Sequence, residues 1–96
     1  MYNNRYVKKS FTREEAVLIG KALNLNFDEE LFDVEQFKMG LDVELEHGLV
    51  SSETNVTYDD PLLTGKIALA HLREFPDYYT RLAIMEKEAQ QYWSRR

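Results

Sequence analysis

Four helix-start signals punctuate this chain of 96 residues, and between them the apolar residues recur at helical spacing. Thr12 stands three residues before Glu15, so each side chain can accept the other's backbone N–H in a capping box. Asp33 and Gln36 repeat the arrangement. Asp60 precedes Pro61, and a proline in the first helical position lacks an N–H that would have had no helical partner. At Phe75-Pro76 one helix must end, because a residue before proline is pushed out of the α region, and Pro76 is expected to open the next as Pro61 does.

The intervals have matching periodicity. Ala16, Ile19 and Leu23, with Val17 beside them, predict a first helix over 13–23, and Asn24 and Asn26 suit a left-handed exit. Val34, Phe37, Leu41 and Leu45 form a single stripe, so the second helix is expected from Val34 to His47 with its stop at Gly48. Leu62, Leu63, Ile67, Leu69 and Ala70 define a third. Tyr78, Leu82, Met85, Ala89 and Tyr92 alternate steps of four and three, the spacing of a coiled-coil seam, with Tyr79 and Trp93 broadening the buried face.

With no strand pattern and no internal repeat, the reading is an all-α, compact orthogonal or antiparallel bundle of about four short helices, the last two an antiparallel hairpin hinged at Phe75-Pro76. Residues 1–10 form a basic N-terminal arm and residues 11–96 a single helical domain. Phe27, Leu31 and Phe32 are expected to plug into the core, and Leu49 to Asp59 to form a loop. Leu41, Leu45, Ile67, Leu69, Leu82 and Met85 should line the inner stripes. Gly40, inside a helix, implies close approach by a crossing helix, and Gly65 is expected to make a tight contact facing Gly40.

Composition removes several function classes. The chain has no cysteine, which excludes disulfides, thiolate metal sites and cysteine nucleophiles. No apolar run approaches the ~20 residues that span a bilayer, and the first ten residues lack the apolar core of a signal peptide, so no membrane association and a cytoplasmic location are expected. Without that signal the sequon Asn55-Val56-Thr57 carries no meaning. The net charge of −5 is unevenly spread: residues 14–60 hold thirteen acids against Lys21 and Lys38, while Arg5, Lys8, Lys9 and Arg13 make the start basic. This acidic belt repels phosphates, so nucleic acid is not an expected partner.

The blocks DVEQFKMGLDVELEHG, TNVTYDDP and LLTGKIALAHLREFPDYYTRLAIME are specific as a set. Through them the chain, from about Phe11 to Glu88, resembles a family of small bacterial and phage-associated helical proteins of unknown function. The resemblance implies no activity, cofactor or partner, and no functional residue is carried over from it.

One hint of site chemistry remains. The only two histidines each lie three residues from a glutamate, Glu44 with His47 and His71 with Glu74, and residues so spaced share a helix face. Imidazole and carboxylate suit Zn, Fe or Mn, so these four are the candidate metal ligands should the second and third helices bring them together. The plainer reading places His47 on the helix C-terminal dipole and makes His71 a partly buried hydrogen-bonding residue. Asp59-Asp60-Pro61 reads as a helix cap rather than a carboxylate pair, Thr64-Gly65-Lys66 lacks the rest of a phosphate loop, and Tyr78-Tyr79 reads as core and rim rather than a stacking platform. No catalytic constellation is recognisable. The expected role is a non-enzymatic module acting by protein contact or self-association, with the acidic belt available to a basic partner surface and Tyr92-Trp93 more apolar than a small monomer covers.

Overall fold

The computed structural model describes residues 10–50 and 60–95, with 48–50 by backbone alone, and contains four helices: α1 (Arg13–Ala22), α2 (Val34–Val50), α3 (Pro61–Glu74) and α4 (Tyr78–Ser94). Among the described residues there is no strand, and the chain is an all-α bundle. Apart from Ser10, the expected basic arm lies outside the described residues, as do Asp59, the Asn55 sequon and all of the expected loop except its first two positions.

The helix starts follow from the caps. Thr12 Oγ1 accepts the Glu15 N–H at 3.1 Å while Glu15 Oε1 accepts the Thr12 N–H at 2.8 Å, completing the capping box of α1. Asp33 accepts the Gln36 N–H at 2.9 Å, but the Gln36 amide does not reach back; it donates to Thr80 Oγ1 at 3.0 Å and ties α2 to α4. Asp60 accepts the N–H groups of Leu62 and Leu63 at 2.8 and 3.2 Å, with Pro61 opening α3. Asn24, at φ 62°, supplies the left-handed exit from α1.

Two boundaries differ from expectation. α2 does not stop at Gly48 but continues to Val50, because a glycine ends a helix only where it turns left-handed and here it stays helical. α3 ends at Phe75, extended at φ −146° and ψ 120°, but Pro76 does not open α4. Pro76 lies in a turn closed by the Tyr78 N–H on the Phe75 carbonyl at 3.0 Å, and Asp77 becomes the N-cap. The Asp77 carboxylate makes no cap bond because it accepts from Arg81 at 2.8 Å, which holds its pKa below the usual aspartate value.

α2 and α3 form the centre, and each packs against both α1 and α4. Phe37, Leu41 and Leu45 are fully buried, as the α2 stripe predicted. Phe37 meets Phe27 and Phe32 with ring centroids 5.7 and 6.4 Å apart. Leu31 is a correction: it is 86% exposed, since the turn begun by Asn26 leaves one side of the segment inward and Phe27 and Phe32 occupy it. Before α1, the Phe11 N–H donates to Asp42 of α2 at 2.7 Å and ties the chain there to that helix, with the Phe11 side chain buried.

The phase of α3 is a second correction. Its buried residues are Thr64, Gly65, Ala68 and Leu72, whereas Leu62, Leu63 and Ala70 are exposed and Ile67 and Leu69 half-buried. Close approach to α2 explains this choice of small residues. A Cβ on Gly40 would lie 2.5 Å from Tyr79 Cε2 and 3.0 Å from Ala68 Cβ, so the crossing expected at Gly40 is made by α3 and α4 together. Gly65 does not face Gly40; a Cβ there would lie 2.9 Å from both Ile19 of α1 and Leu23 at the C-cap of that helix, so its absence makes room for them. In α4 Tyr79 is fully buried and Tyr78 and Leu82 are half-buried, while Met85 and Trp93 are 58% and 68% exposed. The predicted seam is there in sequence, but from Ala83 onward its residues are exposed and the described helices do not bury them.

Leu72→Ala should therefore cost ~2–5 kcal/mol through lost burial and a cavity. Gly40→Ala should destabilise by about 1–3 kcal/mol through overpacking, although alanine is the better helix former by ~1 kcal/mol. Lys87→Ala should stay within about 0.5 kcal/mol. Denaturant midpoints of the three variants check the phases of α2 and α3.

Candidate functional site

Glu44 lies on the same face of α2 as Leu41 and Leu45, so the helix carries its carboxylate inward, where the residue is only 8% exposed. A carboxylate in that position needs donors, because its desolvation is otherwise uncompensated. The Tyr79 O–H of α4 donates to Glu44 Oε2 at 2.7 Å. His71 Nδ1, from the last turn of α3, lies 3.1 Å from the same oxygen and 3.0 Å from Tyr79 Oη.

Counting protons fixes the tautomer. The phenol has a single hydrogen and gives it to Glu44, so both contacts of His71 are attractive only if Nδ1 carries its own hydrogen and shares it between the two oxygens. In the neutral ring Nε2 is then the acceptor. The imidazole lies flat on Tyr78, 4.4 Å between centroids and 3° between planes, and meets Tyr79 edge-on at 6.0 Å. A carboxylate and two tyrosines thus fix both the position and the tautomer of this ring.

Of the four predicted site residues, Glu44 and His71 come together. His47 stands at the rim, its side chain 54% exposed and Nδ1 3.9 Å from Glu44 Oε1, a distance that matters electrostatically only when the ring is protonated. Glu74 is exposed and lines a different concavity, with Glu30, Phe32, Leu72 and Pro76. Among the described residues no group of three or more His, Asp or Glu side chains is arranged to hold a metal ion. The partner that sequence reasoning missed is Tyr79, assigned only to the core. The available signal was the juxtaposition of a glutamate on an apolar stripe, which requires a buried donor, with a tyrosine on another.

Burial, then the hydrogen bond to Glu44 and its negative charge, push the Tyr79 hydroxyl far above its ordinary value of 10.0. The folded protein therefore keeps this proton while the unfolded chain releases it above pH 10. The resulting stabilisation is whole below that pH and is lost as pH rises beyond it. Tyr79→Phe should cost about 1–3 kcal/mol at neutral pH, by leaving Glu44 without its closest donor. The same variant should lose less stability than the parent between neutral and strongly alkaline solution, which denaturant titrations at several pH values would check.

Nothing in this cluster presents an activated nucleophile: the phenol proton points at Glu44, and the carboxylate is engaged from α3 and α4. Its chemical capacity is to hold protons between oriented groups while fastening three helices. No curated protein and no solved structure matches the chain. A family model does match, over residues 16–88, and its description is protein of unknown function (DUF5661). Spanning most of the helical region just described, that match places the chain in the DUF5661 family.

Proposed function

We propose that the chain is a non-enzymatic protein-interaction module whose contact surface is the apolar stripe along the outer half of α4. The observation that carries this reading is that coiled-coil spacing continues through Met85, Ala89 and Tyr92 while every residue from Ala83 to Arg95 is exposed. A seam with this spacing is completed by another helix, and among the described residues no helix of the bundle buries Met85 or Ala89. Apolar surface of this kind is a common mark of an association site. The buried cluster at the base of α4 supports the reading by fixing the direction in which the stripe leaves the bundle.

The reading is tested by replacing Met85 or Tyr92 with a photoreactive amino acid in cells that express the chain naturally. Irradiation should give protein crosslinks from these two positions and few from Lys87 and Gln91 on the opposite face. Equal crosslinking from both faces, or none from either, would contradict it.

A metal-binding role for Glu44, His47 and His71, with Zn, Fe or Mn and without the distant Glu74, is a second reading. What favours it is that the two Glu44 oxygens are directed at the Nδ1 atoms of two histidines, at 3.1 and 3.9 Å. Binding there would require Glu44 to release Tyr79. Protein purified without an affinity tag should then carry stoichiometric metal that disappears in the His47→Ala, His71→Ala double variant; absence of metal from the parent would end this reading.

A further inference from the structure

We propose that the partner of α4 is α4 of a second copy, the two helices lying antiparallel about a two-fold axis. This rests on the interaction reading above and adds the identity of the occupant. In the proposed register, Leu82 packs against the partner's Met85, Tyr78 against the partner's Ala89, and Phe75 against the partner's Tyr92, each contact occurring twice.

Shape gives the first support. At the base of α4, Phe75, Tyr78, Arg81, Leu82 and Met85 line an apolar groove of about 250 Å³. A cavity of ~150 Å³ is enough to accept benzene, so the groove has room for one aromatic ring. The antiparallel register delivers the partner's Tyr92 to that groove. It also sets a small residue, the partner's Ala89, opposite the bulky Tyr78, so the stripe is complementary to its own reversed copy.

Charge gives the second. Arg81 and Glu88 lie seven residues apart along one edge of the stripe, so this register places Arg81 beside the partner's Glu88 twice over. Sliding the helices by one heptad would bring Glu88 against the partner's Glu88 and Arg81 against the partner's Arg95, opposing like charges. The guanidinium is already held at the edge of the groove, 4.4 Å above the Phe75 ring and bonded through Nε to Asp77. Its planar fork has donors beyond Nε to offer a carboxylate.

Area gives the third. Phe75, Met85, Tyr92 and Trp93 are 50%, 58%, 49% and 68% exposed, and three of the four are aromatic. With side chains of this kind burying 150–250 Å² each, they offer on the order of 500 Å² per copy. Two copies together bury about 1,000 Å², the size at which a weak but specific interface begins. Ile84 is also exposed, but two residues from Leu82 it lies on the other side of the helix and contributes nothing.

Light scattering and sedimentation across concentration provide the test. The parent and Ile84→Ala should be dimers; Arg81→Glu and Glu88→Arg should each associate at least about tenfold more weakly, because each sets like charges together. Helical circular dichroism checks that each variant is folded. Mixing the two variants in equal amounts should restore a dimer: the carboxylate introduced in one copy then faces the guanidinium introduced in the other, and the native Glu88 of the first faces the native Arg81 of the second. A parent that stays monomeric at ~1 mM, above the weak end of measurable association, would overturn the proposal. Restoration by mixing Arg81→Glu with Glu86→Arg instead would also overturn it, because that pairing belongs to parallel helices. A monomer whose α4 crosslinks to a different protein in cells would overturn only the second-copy assignment, whereas a monomer with no such crosslinks would remove the interaction reading too.

Discussion

The buried carboxylate of Glu44 is the constraint around which this bundle is arranged. Gly40 and Glu44 stand one helical turn apart on α2 and therefore share a face. The absent side chain of Gly40 makes room for the Tyr79 ring, and Glu44 accepts the hydroxyl at the end of that ring. Neither feature is sufficient alone: without the gap the ring cannot approach, and without the acceptor the buried hydroxyl would lose its shortest hydrogen bond and could place its hydrogen only on His71 Nδ1, after a change of tautomer. His71 completes the arrangement from α3, so three helices meet at one oxygen atom.

This convergence has a directional consequence for α4. The first turns of the helix are held by the Tyr79 bond, by the stacking of Tyr78 on His71 and by the Gln36–Thr80 bond to α2. Beyond Leu82 its residues through Arg95 are exposed. A helix anchored at one end presents its free end with less loss of conformational freedom on binding than a flexible tail would incur. The interaction reading therefore draws on the buried cluster as well as on the exposed stripe.

Those features set by local chemistry were legible in the sequence. Thr12, Asp33 and Asp60 cap as their side chains require, Asn24 takes the left-handed exit, and Phe37, Leu41 and Leu45 line the inner face of α2. The phase of α3 was not legible, because large apolar residues announce a face while the residues α3 buries against its neighbours are mostly small. Met85 and Trp93 mark the opposite problem, since periodicity identifies a stripe but says nothing of whether the same chain covers it. Pairing of Glu44 with His71 depended on how two helices cross, and helical spacing could only nominate it. Glu74, with the same spacing from His71, turned out to belong to another part of the surface.

A double-mutant cycle between Glu44 and Tyr79 tests most directly whether this bond couples the helices. Glu44→Met, Tyr79→Phe and the double variant remove the acceptor, the donor and both at nearly constant volume. If the hydrogen bond is the coupling, the double variant should be about as stable as either single one, with an interaction free energy of about 1–3 kcal/mol in denaturant titrations. Stability losses that simply add, to within ~0.5 kcal/mol, would show that the two residues act independently and that the helices are held together by apolar packing alone.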